Sequence, residues 1–356
     1  MRLRTGWLVL ALVSAAVVAA GALAVDAVQG PGPATGEETV VIAKGAGSEA
    51  IARILTEHGV IRRPWLFLAA AKLTGIRSLQ AGEFLFPAHA SVIDAITLLR
   101  YGKPVVHRLT IPEGLTSAQI VGLVAAEPVL TGDIDRVPAN GSLLPETYFF
   151  SFGDSREALI ERMQTAMATV LTALWAQREA DLPLTTPEAA VTLASIVEKE
   201  TAIPAERPRI AGVFFNRLQQ NIKLQSDPTI VFALTDGGGV LGRSLSKSDI
   251  HLESPYNTYV VSGLPPGPIA NPGRASLLAV LHPDHHDLLY FVADGSGGHA
   301  FARTLEEHNK NVAHWHVIRQ SQAPVPAVGP AVGPAAPPQV ASPAVAPAPG
   351  PSATVR

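Results

Sequence analysis

The chain has 356 residues, a formal net charge of -3 and no cysteine. This length suits about two domains, and the near-neutral charge gives no electrostatic reason to expect nucleic acid as a partner. The missing cysteines exclude disulfides, thiolate metal sites and a cysteine nucleophile.

The N-terminus predicts a membrane anchor. Arg2 and Arg4 precede an apolar run from Trp7 to Val25, and a helix of that length spans a bilayer. Because the basic residues come first, the positive-inside rule places the rest of the chain outside the cytoplasm. We therefore expect residues 1–6 in the cytoplasm and the anchor at 7–25. A cleaved signal peptide is the alternative, since "GALAV" looks like a cleavage site, but the run is longer than a usual signal core.

Two segments of low complexity flank the region that is expected to fold. Residues 26–38 are rich in Gly, Pro and Ala, which predicts a short linker beyond the membrane. Residues 321–356 are mostly Ala and Pro, so they cannot bury a core and are predicted to form a disordered tail.

The folded region divides into a first module at residues 39–107 and a connecting segment at residues 108–153. The predicted elements of the module are strands Thr39–Ala43 and Glu83–Phe86 and helices that begin at Ser48 as N-cap, at Pro64 and at Ser91. A strand at Val105–Ile111 leads into the connecting segment, where a helix is predicted to be capped at Thr116 or Ser117.

Residues 154–320 are predicted to be mainly helical. The predicted helices are residues 155–180, 186–201, 208–220 and 274–281, followed by a strand at 288–292. Two stretches with glycine and proline, "DPTIVFALTDGGG" and "VSGLPPGPIANPG", predict loops. The combined pattern indicates an α+β protein.

The stretch "LASIVEKET" carries the strongest chemical signal. At about 100° per residue, the apolar residues of this helix form one stripe, and Glu200 falls within about 50° of its centre. Glu198 lies about twice as far away and is expected to reach solvent. Apolar surroundings raise the pKa of a carboxyl, and a protonated Glu can act as general acid on a glycosidic oxygen. The alternative is a solvated helix end paired with Arg207 or Arg209.

Four longer stretches extend this signal: "GVFFNRL", "LQSDPTIVFAL", "SPYNTYVVSGLPPGPIANPG" and "LYFVADGSGGHAFARTLEEHNKNV". Together with "LASIVEKET" they resemble the endolytic murein transglycosylase family, the YceG-like proteins, from about residue 40 to 318. The resemblance implies a LysM-like subdomain at 39–107 and a lysozyme-like catalytic domain at 154–320, with Glu200 as the catalytic residue. In "LLPETYFF", Glu146 stands where the family pattern usually has Asp.

The resemblance implies an enzyme of the bacterial inner membrane with its catalytic domain in the periplasm. Such an enzyme cuts nascent peptidoglycan strands internally, forms 1,6-anhydro-MurNAc ends and terminates glycan elongation. Its partners would be glycan strands, with peptidoglycan synthases as candidate protein partners, and it needs no cofactor. One carboxyl can serve as acid and then base, and no obvious second inward acid follows Glu200 in the sequence. The alternatives are a hydrolytic muramidase, which needs a second group, and a non-catalytic peptidoglycan-binding scaffold.

Further polar residues are candidates for the glycan groove. Gln225, Asp227, Tyr256 and Asn257 are predicted to bind substrate, because sugars are held by amides, hydroxyls and aromatic faces. The alternative is that these residues only support the structure of their loops, with Tyr259 as a core residue. Glu198, Asn216 and Arg217 are candidates for supporting roles, and "LPPGPIANPG" for a rigid wall.

The histidines invite a metal site, which the spacing does not support. These are His282, His285, His286, His299 and His308. Pro283 interrupts the densest group, and no strong zinc motif is matched. We therefore expect surface-loop histidines and no metal.

Overall fold

Three separate hydrophobic cores organise the chain, of which the computed structural model describes residues 2–75 and 78–321. The helices are α1 (Arg2–Gln29), α2 (Ser48–Glu57), α3 (Pro64–Leu73), α4 (Val92–Tyr101), α5 (Ser117–Ala126), α6 (Arg156–Ala176), α7 (Pro187–Glu200), α8 (Arg207–Gln219), α9 (Asp227–Thr235), α10 (Arg274–Leu281) and α11 (Leu305–Ser321). The strands are β1 (Glu38–Ile42), β2 (Gly82–Phe86), β3 (Val106–Thr110), β4 (Thr147–Ser151), β5 (Tyr290–Ala293) and β6 (His299–Ala302). The strands form three antiparallel pairs, β1–β2, β3–β4 and β5–β6. The predicted tail lies outside the described residues, apart from Ser321.

The N-terminal helix is long and apolar, as expected. Residues Leu12–Gln29 of α1 have a mean hydropathy of 1.8, and none of this window is buried within the protein. The helix continues into the predicted linker as far as Gln29, and Ala27 and Val28 pack against the first core. The following backbone is tied down as well, because His89 N–H donates to the Ala34 carbonyl at 2.8 Å. Residues 26–34 therefore pack on the first module instead of forming a free spacer.

The first core lies between the β1–β2 pair and helices α2 to α4. Inward-facing side chains alternate along both strands, so that Val40, Ile42, Phe84 and Phe86 are buried. Ser91 caps α4 as predicted, in a reciprocal capping box with Asp94. The predicted cap at Ser48 is wrong: Gly47 is the N-cap and Ser48 the first helical residue, with no side-chain cap bond.

The second core joins the β3–β4 pair to α5 and the first half of α6. Strand β4 is an element that the sequence patterns missed, although its alternation is clear, with Tyr148 and Phe150 buried and Phe149 exposed. Thr116 caps α5 through a capping box with Gln119, which selects between the two predicted caps.

The third core is centred on α7, which packs against α6, α8, α9 and α10. Its predicted apolar stripe is buried, and so are Thr192 and Ser195 on other faces, because neighbouring helices surround the middle of α7. One loop prediction needs correction. Residues 227–235 form α9, since Asp227 and Pro228 stand in the first turn, where they favour helix initiation. Beyond β5 the chain adds β6 and α11.

Candidate active site

A cavity of about 490 Å³ opens at the C-terminal end of α7, and we call it the central cavity. Its walls come from the ends of α7 and α8, the loop before α9, the β5–β6 hairpin and α11. The lining residues are Glu200, Arg217, Leu224, Gln225, Asp227, Tyr259, Tyr290, Phe291, Val292, Ala293, His299, Leu305 and His308. The third core thus brings together segments that lie more than a hundred residues apart along the chain.

Glu200, the last residue of α7, presents its carboxyl to this cavity. Burial raises the pKa of the carboxyl to about 7, and the nearby Asp227 carboxylate acts in the same direction. The hydroxyl of Ser226 donates to Glu200 Oε1 at 2.5 Å and works against this rise in the pKa. A large fraction of Glu200 is therefore protonated near neutral pH, which is the state that a general acid requires.

A buried hydroxyl network holds Ser226 in place. Ser226 N–H donates to Thr258 Oγ1 at 2.9 Å, and Thr229 Oγ1 donates to the Ser226 carbonyl at 2.6 Å. The two threonine hydroxyls also bond each other at 2.9 Å. All three residues are buried, so the orientation of Glu200 is set by a rigid group that sequence patterns did not reveal.

Two of the four predicted substrate-binding residues lie in the central cavity. Gln225 and Asp227 are exposed at its wall, on either side of Ser226. Asp227 Oδ1 accepts a hydrogen bond from the Tyr259 hydroxyl at 2.6 Å. Tyr259 is therefore a cavity residue and not a core residue. The Asp227 carboxylate also supplies the second acid that the sequence did not suggest.

The other two predicted substrate-binding residues do not line the central cavity. Asn257 is fully buried, and its Nδ2 donates to the carbonyls of Ile250 and Leu252 at 3.0 and 2.8 Å. Its amide is thus used up by the loop backbone, as is usual for buried side chains of this type. Tyr256 packs against Phe232 with ring centroids 4.7 Å apart and does not line the central cavity. Asn257 therefore has no free amide hydrogen for a sugar, whereas a sugar contact of Tyr256 stays a prediction.

Of the two supporting candidates on α8, only Arg217 reaches the central cavity. Its Nη1 donates to the carbonyls of Lys223 and Leu224, and its Nε donates to the Leu289 carbonyl at 2.6 Å. Arg217 therefore ties the loop before α9 to the start of β5. Asn216 donates to the carbonyls of His286 and Leu288. It therefore supports the segment that leads into β5 and does not line the central cavity.

Glu198 does not reach solvent, contrary to its helical phase. Its side chain is only 5% exposed, because Arg207 and Gly273 cover it. Oε1 accepts from Arg207 at 3.0 Å and Oε2 accepts from Gly273 N–H at 2.9 Å. Arg207 also pairs with Glu113. Among the ion pairs of the described residues none joins Glu200 to an arginine, so the predicted alternative of a pair with Arg207 or Arg209 is wrong.

We expect Glu198→Gln to destabilise the fold by roughly 3 kcal/mol, because it leaves Arg207 with a weakened partner in a buried site. Folded Glu198→Gln protein should keep most of its turnover, since Glu198 does not line the central cavity. Denaturant unfolding of this variant beside the exposed Glu188→Gln, a change on the same helix, measures the effect. Equal stability of the two variants would contradict the structural role of Glu198.

The histidines separate into two groups. His299 and His308 line the central cavity, so for these two the prediction of surface-loop residues is wrong. His282 and His285 lie beside Glu179, and His286 contacts the backbone of Arg209. Within residues 2–75 and 78–321, no group of three or more His, Asp or Glu side chains could hold a metal ion.

Two further cavities adjoin the central one. The first, of about 300 Å³, shares Glu200 and His299 with it and is also lined by Trp315. The second, of about 400 Å³, shares Asp227 and is also lined by Lys199 and Phe232. Glu200 therefore borders two of these cavities, and the third meets the central cavity at Asp227.

Comparisons with known proteins agree on one family. The sequence profile of the YceG-like family matches residues 40–314. The chain is 32% identical over 305 residues to a Bacillus subtilis (strain 168) protein named endolytic murein transglycosylase, which covers 76% of this chain and 82% of that protein.

A protein of the same name from Streptococcus pneumoniae serotype 2 (strain D39) is 32% identical over 323 residues, 77% of this chain and 58% of that protein. A crystal structure of a YceG-like protein from Listeria monocytogenes shares 32% sequence identity, covers 77% of this chain and 98% of that chain, and has a TM-score of 0.49. The profile match and the relatives together show that the chain belongs to the YceG-like family.

Proposed function

We propose that this chain is an endolytic peptidoglycan lytic transglycosylase in which Glu200 is the general acid. The observation that carries the proposal is the Glu200 carboxyl itself, which faces the central cavity with a pKa raised by burial to about 7 and is oriented by Ser226. The family and the names of the relatives support the same activity.

The proposed reaction begins with proton transfer from Glu200 to the glycosidic oxygen between N-acetylmuramic acid and N-acetylglucosamine. The bond from this oxygen to the anomeric carbon breaks, and the 6-hydroxyl of the muramic sugar attacks that carbon. The product is a 1,6-anhydro ring, and the proton of the 6-hydroxyl passes to a base. A glycosidic oxygen needs such an acid at neutral pH because an alkoxide is a poor leaving group.

The two cavities that adjoin the central cavity support cleavage inside a strand. Sugars bound on both sides of the scissile bond need space on both sides of the acid, and the cavities that adjoin Glu200 and Asp227 offer it. Gln225 and Asp227 are proposed to bind the sugars there, with Tyr259 as an additional wall residue. A site closed on one side would favour removal of terminal units.

The proposed domain division places a LysM-like subdomain at residues 39–107 and a lysozyme-like catalytic domain at 154–320, joined by residues 108–153. The separate first core, built from Val40 to Leu99, supports an independent first module. The helical third core around α7 supports a lysozyme-like catalytic domain.

We further propose that α1 anchors the protein in the bacterial inner membrane and leaves the catalytic domain in the periplasm. Leu12–Gln29 is long and apolar enough to cross a bilayer, and Arg2 and Arg4 precede it. An enzyme held there meets nascent strands as they leave membrane synthases, its candidate partners, and would terminate their elongation.

Protease added to spheroplasts should digest most of this chain while a cytoplasmic marker protein stays intact. The reason is the orientation set by Arg2 and Arg4, which precede the apolar part of α1. Immunoblotting of spheroplasts and of culture supernatant checks both topology and cleavage. Full protection of the catalytic domain, or release of a soluble mature form, would contradict the anchor.

A hydrolytic muramidase is the second candidate, and Asp227 is the observation that favours it. A hydrolase needs a second group to activate water or to act as nucleophile, and Asp227 lies in the same cavity and close enough to raise the pKa of Glu200. A non-catalytic peptidoglycan-binding scaffold is the third candidate, but it gives no reason for a protonated carboxyl in the groove.

Digestion of uncrosslinked glycan strands in H₂¹⁸O distinguishes the three candidates by mass spectrometry. A lytic transglycosylase yields anhydro ends that contain no ¹⁸O, because the attacking oxygen comes from the sugar. A muramidase yields reducing ends that contain one ¹⁸O from water. A scaffold leaves the strands intact. We expect anhydro ends, and ¹⁸O-labelled reducing ends as the main product would replace the proposal by the muramidase.

A further inference from the structure

His299 is held in the central cavity by a carboxylate from the segment between α7 and α8. Its Nδ1 lies 2.8 Å from Glu206 Oε2, and its backbone N–H donates to Glu206 Oε1 at 2.9 Å. The hydroxyl of Thr201 donates to Glu206 Oε2 at 3.0 Å. The side chains of His299 and Glu206 are only 15% and 16% exposed, so the pair is fixed and largely shielded from solvent.

The ionisation of Glu206 determines which ring nitrogen of His299 is free. Burial acts to raise the pKa of Glu206, but the hydrogen bonds from His299 and Thr201 outweigh it and hold the pKa below its usual value. Glu206 is therefore an anion that accepts a hydrogen bond from the Nδ1 proton, and in the tautomer that carries only this proton Nε2 has a lone pair. In the part of the chain that the structure describes, Nε2 has no hydrogen-bond partner.

The position of His299 relative to Glu200 suits a second proton transfer. Both residues line the central cavity and also the adjoining cavity that contains Trp315. The ring of His299 is fixed by Phe291 and Phe301, with centroids 5.4 and 6.4 Å away. A sugar that receives a proton from Glu200 in this space lies next to the imidazole.

We propose that His299, positioned by Glu206, is the base that accepts the proton of the muramic 6-hydroxyl, in the lytic reaction on which this inference rests. The O6–H bond breaks towards His299 Nε2 while O6 bonds to the anomeric carbon. This attack follows the break of the bond from that carbon to the glycosidic oxygen, which takes the proton of Glu200. Glu200 is left as a carboxylate and His299 as an imidazolium, and one proton returned from His299 to Glu200 restores both groups.

The Glu206 carboxylate has a role in this step that packing alone does not require. An imidazolium formed at His299 is stabilised by an anion on the opposite ring nitrogen, as in other histidine–carboxylate pairs that act as bases. Because O6 and the leaving oxygen lie on the same face of the muramic ring, the glycosidic bond breaks before O6 attacks, and a separate base can take the O6 proton as the new bond forms.

A second histidine–carboxylate pair provides a matched control. His285 Nε2 lies 2.8 Å from Glu179 Oε2, the same separation as in the His299 pair. The His285 side chain is 81% exposed, and neither residue lines the central cavity. Removal of this imidazole should affect neither turnover nor its response to added imidazole.

The test compares His299→Ala, Glu206→Gln and His285→Ala with wild type, as full-length proteins in detergent acting on uncrosslinked glycan strands. We expect His299→Ala to lower kcat at least about a hundredfold with little change in KM. Added imidazole should restore kcat at least about tenfold, because a free base can occupy the vacated space. Glu206→Gln should lower kcat about tenfold or more, and His285→Ala should match wild type with and without imidazole.

Wild-type kcat in His299→Ala would overturn the proposal. So would a loss of kcat that imidazole does not restore in protein with the wild-type melting temperature, since that pattern indicates a structural role. If His299→Ala fails to fold, Glu206→Gln decides, and wild-type kcat in that variant overturns the proposal. Wild-type protein that forms no anhydro ends would instead overturn the lytic function itself.

Discussion

Glu200→Gln is expected to lower the turnover of glycan strands at least about a hundredfold, the usual scale for loss of a general acid. The amide keeps the size of the side chain and can still accept the hydrogen bond from Ser226. It cannot deliver a proton to the glycosidic oxygen. Release of soluble fragments from uncrosslinked strands, measured at equal protein concentration, gives the ratio of the two rates.

Two other glutamates of α7 are the controls for this prediction. Glu188→Gln changes an exposed carboxyl in the first turn of the same helix and should leave turnover unchanged. Glu198→Gln should be less stable, yet active when folded. If Glu200→Gln retains more than about a tenth of wild-type turnover while Glu198→Gln is inactive and folded, the assignment of the acid is wrong.

Glu200→Gln is also expected to gain stability over wild type as the pH rises. Burial raises the pKa of Glu200 from its usual value of 4.5 to about 7, so the unfolded chain ionises first. The folded state therefore binds the proton of Glu200 more tightly than the unfolded chain does. The stability that results from this difference is fully present below about pH 4.5 and is lost as the pH rises through about 7. A shift of this size corresponds to about 3 kcal/mol, which the glutamine variant does not lose.

Denaturant unfolding of both proteins between about pH 4 and about pH 8 measures this difference. The free energy of unfolding of Glu200→Gln relative to wild type should increase across that range, mostly between about pH 4.5 and about pH 7. Glu188→Gln, whose side chain is exposed, should follow the wild-type curve. A constant difference between Glu200→Gln and wild type would mean that the carboxyl is solvated.

Local patterns were sufficient for the elements that carry the proposed acid. The apolar spacing of α7 indicated a buried helix face, and Leu193, Ile196 and Val197 are indeed fully buried. The phase of Glu200 on that helix also predicted an inward carboxyl, which its raised pKa matches. Such features depend on neighbours within a few residues, and a single sequence contains them.

Features that depend on distant residues could not be predicted in the same way. Helical phase placed Glu198 towards solvent, but Gly273, 75 residues away, covers it. Asn257 suited a sugar-binding loop by residue type, yet its amide is consumed by the backbone of residues 250–252. The pairing of His299 with Glu206 joins residues 93 positions apart. Only the packing of the third core determines which side chains remain free at the central cavity.

The secondary-structure errors have local causes. Glycines after Thr235 led to a loop prediction for the whole stretch, although Asp227 and Pro228 at its start favour a helix. The short strand β4, which overlaps "LLPETYFF", was not predicted because its alternating pattern covers only five residues. Neither error changed the predicted position of Glu200, because the apolar periodicity of α7 is sufficient to predict that helix.

The pH dependence of kcat/KM on uncrosslinked strands tests most directly whether Glu200 acts as a protonated acid, because it reports the essential groups of the free enzyme. Burial places the pKa of Glu200 at about 7, so kcat/KM should decrease tenfold per pH unit above about pH 7. The residual activity of Glu200→Gln should lack this decrease. A wild-type kcat/KM that instead rises through about pH 7 and stays high to about pH 9 would show that the essential carboxyl works ionised, and would contradict a general-acid role for Glu200.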